Sequence, residues 1–404
     1  MRDFNRQESS SLNYDIVICG GGVAGLWLLN VLIKAGYSVL LVEKDAIGGI
    51  QSIASQGMIH GGQRYLLGSN LSTHAKSVAL LPERWNACLE GRGDVDLREV
   101  RILSETQLMW PTGGRLTRLA LNAATHLVKA KMRHLDPWEI PDALTGFADR
   151  PILELPEKVL DIGSLVEVLS APHGANIRKG VVGSLTREGR LTVSGIPIIA
   201  QVVICAAGLG NEEFLVSLDA GKHCSQQRPI RQLMVKMMPF PLYGHGITTS
   251  YKPRVTITSQ PLLSGGYVWY IGGALGDDVL SLKENQAINY ARKEMAALFD
   301  RIDWGGKEWA TWDGVRAEAF SHNGLLPDGP VIQEYDGVMV VWPTKLTLTP
   351  TLGDGVLERL SEKRVWPKYP NPPFPPSNLT MPVRAPFPWE VARWTSLISD
   401  NSHR

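Results

Sequence analysis

Apolar and polar positions near the start of the chain fall into blocks, not a simple alternation. Ile16, Val17 and Ile18 form a short β-branched run, the pattern of a strand buried on both faces. Gly20, Gly22 and Gly25 follow, and from Ala24 to 33 the apolar residues recur at helical intervals. Residues 39–42 form a second buried run that ends at Glu43. Strand, glycines, helix, strand and acid occur in the order of a dinucleotide-binding βαβ unit. Gly20 permits the tight turn, Gly22 lets backbone approach a pyrophosphate, and Gly25 lets helix pack on sheet. The helix N-terminus, at Val23 and Ala24, offers unpaired N–H groups to the diphosphate, and Glu43 can accept the hydroxyls of a ribose.

Periodicity predicts the elements that follow. Residues 71–90 have helical spacing, with Leu80, Trp85 and Leu89 as core contacts. Residues 98–110 read as two strands joined by a turn, 115–135 as helical, and 137–156 as proline-punctuated connecting structure. A helix over 159–169 begins after Asp161, although Gly163 works against it. Runs over 177–185, 190–193 and 197–204 predict strands, the last ending in Cys205-Ala206-Ala207-Gly208 and returning the chain to its first sheet. Strands are expected at 255–259, 267–271 and 338–341, a glycine turn at 272–276, and helices at 283–299 and on through Leu360. The latter two carry Ile288, Met295 and Leu298 as apolar markers and Leu360 as an end point.

Composition narrows the class. A chain of 404 residues exceeds one compact core, and its 44% apolar and 20% charged content is that of a soluble globular protein. A net charge of +1 gives no argument for a nucleic-acid partner. Cys19, Cys88, Cys205 and Cys224 lack metal-ligand spacing, and Cys19 and Cys205 sit in strand-like runs as small core residues, which fits a reducing compartment. Residues 1–12 read as a disordered lead-in unlike a signal peptide, and no uncharged apolar run is long enough to span a membrane. The expected location is cytoplasmic.

Candidate chemistry clusters in three places. After Glu43 and Lys44, the small polar stretch Gln51, Ser52, Ser55, Gln56 and Gly57 can set backbone and hydroxyl groups against a ligand extending past the pyrophosphate. His60, two glycines, Arg64 and Tyr65 follow directly and mark a reaction site, or else a surface turn. The third block holds Trp312-Asp313-Gly314-Val315-Arg316 and Lys345-Leu346-Thr347. From Trp366 the chain turns proline-rich with interleaved aromatics, a composition that cannot form an interior helix and that either wraps the surface or binds a partner.

Together these blocks resemble the FAD-dependent oxidoreductases that include D-amino-acid oxidase, glycine and sarcosine oxidases, glycerol-3-phosphate dehydrogenase and L-2-hydroxyglutarate dehydrogenase. The resemblance implies an α/β fold: a Rossmann-like FAD-binding domain with a discontinuous mixed-sheet α+β substrate domain. It assigns 13–90, 151–215 and 311–360 to the former and 91–150 and 216–310 to the latter, leaving 361–404 as tail. Residues 55–62 resemble the segment passing beside the isoalloxazine, Ala207 and Gly208 the ligand-side strand end, and Val182 a backbone contact near the adenine. Arg316 falls where the family holds a substrate carboxylate, with Ala317 in place of the usual proline. Lys345, Leu346 and Thr347 resemble a late segment near the flavin pyrimidine, with Pro343-Thr344 replacing glycines.

The implied cofactor is FAD, non-covalently bound, and the implied reaction is hydride transfer to flavin N5 from a small carboxylate-bearing substrate, foremost a 2-hydroxy acid. In that scheme an imidazole, with an ordinary pKa of about 6.5, makes His60 the base, or His60 only packs beside the cofactor. Arg316 either grips the carboxylate or forms a structural ion pair, Lys345 offsets charge on reduction, and Arg64 and Tyr65 add donors. Amino acid or amine oxidation is the rival chemistry, and a non-catalytic flavin-binding assembly protein the rival class. The electron acceptor is oxygen, a quinone or a protein. The aromatic tail, with Arg384, Arg393, Phe387, Trp389 and Trp394, suits subunit packing or peripheral contact with the inner membrane.

Overall fold

The computed structural model describes residues 12–61, 80–114, 117, 132–221, 224–250, 252–322, 327, 329–370 and 379–396. The predicted βαβ unit forms: β1 spans Leu12–Cys19, α1 Val23–Lys34 and β2 Val39–Glu43. β1 is the centre of an eight-stranded sheet, parallel on one side to β2 and on the other to Ile196–Cys205. Val338–Trp342 extends the parallel set beyond 196–205, and Ile177–Lys179 extends it beyond β2. A meander of Val182–Leu185 and Arg190–Val193 leads into 196–205, so the chain does return to its first sheet.

The strands of this sheet are apolar on both faces because both faces are covered. On one side α1 packs against Ile162–Ser170 and Thr349–Glu362, with Trp27 and Trp85 fully buried and their rings 5.1 Å apart. On the other lie Val17, Leu40, Val203, Val340, Cys19 and Cys205 with the meander. Asp15 is fully buried, which is tolerable only because it is saturated with donors. Its carboxylate accepts from Ser38 N and Oγ (both 2.9 Å), Gln201 Nε2 (2.6 Å) and the backbone N–H groups of Lys368 and Tyr369.

A second, nine-stranded sheet stands against the first. Its order is 395–396, 308–319, 225–238, 267–272, 255–261, 244–247, 107–111, 153–155 and 133–134. Neighbours are antiparallel except 244–247 with 107–111. It takes in Leu153–Leu155 and Glu308–Ala319, segments that lie partly inside ranges the sequence assigns to the FAD-binding part. Glu284–Leu298 covers its outer face through Ile288, Ala291 and Met295.

Several expectations change. Leu80 is 62% exposed; the inward stripe of the helix Leu81–Leu89 is Leu81, Trp85 and Cys88, one position out of phase with Leu80. The two strands expected over 98–110 do not pair with each other: Ile102–Ser104 pairs with Val159–Leu160, while Gln107–Pro111 enters the second sheet. Most of 115–135 lies outside the described residues, and at its end Arg133–His134 is a strand. The glycine turn at 272–276 is instead the end of a strand at Gly272, a left-handed Gly273 (φ +95°) and a short helix, Ala274–Asp278. Gly163 is no obstacle to its helix, because Asp161 caps it and a Cβ at 163 would sit 2.6 Å from the Phe387 ring.

The tail wraps its own chain. Ile47 N donates to Val383 O and Ala385 N to Ile47 O, Arg384 pairs with Glu167, and Phe387 stacks on Trp389 at 4.5 Å. Trp389 then reaches Tyr270 of the second sheet, and Thr395–Ser396 adds an edge strand to Glu308–Ala319. Among the described residues, no helix is long and apolar enough to cross a membrane. Replacing the fully buried Trp85 by Ala should cost about 3–5 kcal/mol of unfolding free energy, read as a fall in the urea midpoint with an unchanged slope.

Candidate active site

The glycine turn after β1 is shaped for a diphosphate. Gly20 takes φ +116°, and a Cβ there would lie 2.6 Å from Ala206 O; a Cβ at Gly25 would meet Gly20 O at 2.0 Å. Gly22 is the extended N-cap of α1, without a capping side chain of its own and with no acidic residue in the first turn. Ser52 reaches the helix start from a distant loop, where its Oγ accepts the Val23 N–H at 3.0 Å, and Ala24 begins the turn behind it. Glu43 accepts from Gly21 N (2.7 Å) and Asp45 N (2.8 Å), one bond per oxygen, which leaves lone pairs for two hydroxyls. Lys44 beside it is exposed.

The other expected contacts gather around this turn. Gly208 is left-handed (φ +56°), and a Cβ there would lie 3.0 Å from Gln51 Oε1. Ala207 N donates to Asn211 Oδ1, whose Nδ2 bonds Val341 O, so a buried amide pins the end of one strand to the next. Gly180 N bonds Glu43 O, which places Val182, two residues on, at the Glu43 end of the sheet. Narrow glycine turns, an open helix start and a carboxylate at the second strand fit an adenine dinucleotide.

Ser55 Oγ faces the Gly57 N–H at 3.4 Å, and Gly57 (φ +70°) packs so closely on Leu160 that a Cβ would meet its carbonyl at 2.0 Å. The Gln56 side chain crosses to the second sheet, donating to Thr256 O (3.0 Å) and Tyr270 O (3.1 Å). Tyr270 Oη returns a bond to Ala54 O at 3.0 Å; complete burial pushes that phenol well above its ordinary pKa, so it stays a donor.

His60 meets the late segment directly. Its backbone N–H donates to Thr347 Oγ1 (3.1 Å), and Trp85 Nε1 donates to Thr347 O (3.0 Å). Lys345 opens the turn Leu346–Leu348, preceded by Thr344 at φ +61°. A threonine thus holds the left-handed backbone that a glycine adopts without strain. The His60 ring is about one-third exposed, with Nδ1 3.7 Å from Glu157 Oε2, whose side chain is 4% exposed. Glu157 Oε1 is fixed by the Gly61 N–H at 2.6 Å. Across from His60, its ring 5.5 Å away, stands His245, buried between Thr256 Oγ1 (3.0 Å) and Gln107 Oε1 (3.3 Å).

Arg316 lies on the strand Glu308–Ala319, in strand phase with Ala310, which packs with Met234 and Tyr270 on the face turned to the first sheet. Trp312, Arg316 and Glu318 share that phase, as do Gln232 and Arg228 opposite them. The Trp312 indole lies over Gly314, where a Cβ would meet it at 2.1 Å, the physical content of the W-x-G spacing. Ala317, where a proline was expected, continues the ladder opposite Gln227. Arg316 makes no ion pair among the described residues. His60 Nδ1, Gln232 Oε1 and Glu318 Oε1 are buried polar atoms without hydrogen-bond partners.

Histidine and arginine thus occupy different ends of one polar face, four strand steps apart in the sheet order. Arg64 and Tyr65 lie outside the described residues. Glu157, His245, Gln107, Thr256, Asn211, Arg228 and Glu318 were not singled out by sequence. Only Asn211, following Gly208-Leu209-Gly210, carried a local hint; the rest reach the site through pairing between distant strands.

Comparison with known proteins shows the family and the fold. The profile of the family described as "DAO: FAD dependent oxidoreductase" matches residues 15–356. A protein named "Probable FAD-dependent oxidoreductase PA4991", from Pseudomonas aeruginosa, is 39% identical over 394 residues, 95% of this chain and 99% of that one. The crystal structure of PA4991 superposes with a TM-score of 0.82 over 94% of this chain and 98% of that chain, at 36% identity. Glycine oxidase from Geobacillus kaustophilus (TM-score 0.60, 20% identity, 87% and 95% covered) shares the fold. So does L-alpha-glycerophosphate oxidase from Mycoplasma pneumoniae (0.63, 17%, 86% and 95%), whose structure has FAD bound.

Gly25→Ala tests the cradle, because its methyl would stand about 2.0 Å from Gly20 O. The variant should lack the visible absorbance of flavin and melt at a lower temperature than the wild type, read by absorbance and circular dichroism on the same preparation.

Proposed function

This chain belongs to the family of FAD-dependent oxidoreductases, and we propose that within it the protein oxidises a small carboxylate-bearing substrate, a 2-hydroxy acid. The observation that carries this reading is the His60–Glu157 pair. An imidazole on the cofactor loop is backed at 3.7 Å by a buried carboxylate that a backbone N–H holds in place. Removing hydride from a carbinol carbon needs a base for the hydroxyl proton, and oxidation of an already neutral amine does not. Bound FAD supplies the hydride acceptor.

His60 takes the hydroxyl proton, and Glu157, 3.7 Å from its Nδ1, offsets the charge the ring gains. His245 confines the ring on its other side. Arg316 stands four strand steps from His245, roughly 19 Å at the usual strand spacing, too far to grip the carboxylate of a 2-hydroxy acid whose hydroxyl meets His60, so it is not assigned to that substrate. Lys345, at the N-terminal side of the Thr347 turn, offsets negative charge on the reduced cofactor. Gly20, Gly22, Gly25, Glu43, Ser52 and Gly208 hold the dinucleotide. A small molecule is the substrate and a separate electron acceptor completes the cycle: oxygen, a quinone or a protein.

An anaerobic screen of 2-hydroxy acids, amino acids and glycerol phosphate, read as bleaching of the bound flavin, tests the substrate. A 2-hydroxy acid should bleach it, and bleaching by amino acids alone would sink the proposal. Reoxidation by oxygen or a soluble quinone then separates the acceptors. His60→Gln should slow bleaching about 100- to 10,000-fold with flavin content retained. Glu157→Gln should slow it less, because it removes the neighbouring negative charge and leaves the base.

A further inference from the structure

The loop that follows β2 is fastened on two sides. Residues 44–57 carry Ser52, whose Oγ accepts the Val23 N–H at the start of α1, and Gly48, whose N–H donates to Gly21 O at 2.8 Å. On its other side the loop meets the tail. Ile47 N donates to Val383 O at 2.8 Å and Ala385 N to Ile47 O at 2.9 Å, a parallel bridge around Arg384. Ile47 and Ala385 are both buried, so breaking this bridge in place leaves backbone groups unpaired in the interior.

The same tail reaches the far end of the loop through the second sheet. Phe387 packs against Gly163 and stacks on Trp389, and Trp389 meets the Tyr270 ring edge-on with centres 5.6 Å apart. Tyr270 Oη donates to Ala54 O, and Gln56 Nε2 donates to Tyr270 O. Thr380 O accepts from Lys179 N at 2.7 Å, next to the bond from Gly180 N to Glu43 O. Tail contacts thus bracket the loop. Ile47 is held directly, Ala54 and Gln56 through one tyrosine, and the strand end beside Glu43 through Thr380.

A loop held between the glycine turn and the tail transmits order from one to the other. A ligand that fixes the glycine turn lowers the entropy the tail must give up on docking, and a docked tail lowers what the turn must give up on binding. Coupling of this kind is reciprocal by thermodynamic necessity. We propose that residues 379–396 are a clasp on the cofactor loop, and that docking of this clasp and binding of FAD strengthen one another. The tail slows the release of FAD, and FAD holds the tail in place. Ala385, Phe387 and Trp389 are positioning residues in this clasp, acting on the cofactor site through Ile47, Ser52 and Tyr270.

Flavin fluorescence and hydrogen exchange on the full chain test this without any substrate, so the outcome is independent of the hydroxy-acid reading. Ala385→Pro removes the N–H that bonds Ile47 O, and Trp389→Ala removes the link to Tyr270. Each should weaken binding of FAD to the reconstituted apoprotein about 5- to 150-fold, mostly through faster release on dilution. Trp389→Phe keeps a ring at the contact and should recover most of the affinity lost in Trp389→Ala, which separates a lost contact from misfolding. Val391→Ser, at an exposed tail position, should leave the affinity unchanged. In the wild type, FAD should slow amide exchange across 379–396 as well as across 44–57.

Affinities within about twofold of the wild type in both Ala385→Pro and Trp389→Ala would overturn the proposal. So would tail exchange that FAD does not slow, even with weakened binding in the variants, because the tail would then be a static brace. Equal weakening in Val391→Ser, or no recovery in Trp389→Phe, would assign the effect to general destabilisation and overturn it as well.

Discussion

The distance between the backbone of Gly20 and that of its neighbours is the constraint on which the rest of the molecule depends. The carbonyl of Gly20 occupies the space where a Cβ at 25 would be, and the carbonyl of Ala206 the space where a Cβ at 20 would be. Helix α1, β1 and the strand 196–205 can converge only because those two positions have no side chain. Their convergence brings the helix start and two strand ends to one edge, the arrangement that suits a diphosphate. Every other part of the site is placed relative to that edge.

The second sheet is attached to this edge by polar contacts as well as apolar packing. Gln56 donates to two strands of the second sheet, Tyr270 donates back to Ala54, and the tail ties Ile47 to the outer strand through Phe387, Trp389 and Thr395–Ser396. Amide and phenol bonds of this kind contribute modestly when made but cost more when left unpaired in the interior. They fix the second sheet in one register over the cofactor loop. The tail's aromatic residues thereby close a seam within the chain.

Charge is handled by the same logic of enclosure. Asp15, Glu157 and Glu318 are all buried, and each is held by donors from remote parts of the chain. Asp15 is saturated and serves the fold. Glu318 keeps one oxygen without a hydrogen-bond partner, and Glu157 stands beside the His60 Nδ1, which also has none, the kind of incomplete pairing found where a ligand supplies the missing partners.

What the sequence determined by itself was local. The βαβ unit, the helix capped by Asp161, the strands ending at Gly208 and the helix through Leu360 follow from periodicity and glycine chemistry acting over a few residues. His60 and Thr347 could be marked separately, although their hydrogen bond spans most of the chain. Tertiary structure alone decided that Glu157 backs His60, that His245 faces it, that Arg228 lies opposite Arg316, and that residues 102–104 and 107–111 part company. These depend on which strands pair and in what register, and pairing is settled by the burial of whole faces. Leu80 shows the limit on a small scale: helical spacing was legible, but a shift of one residue in phase moved it from the core to solvent.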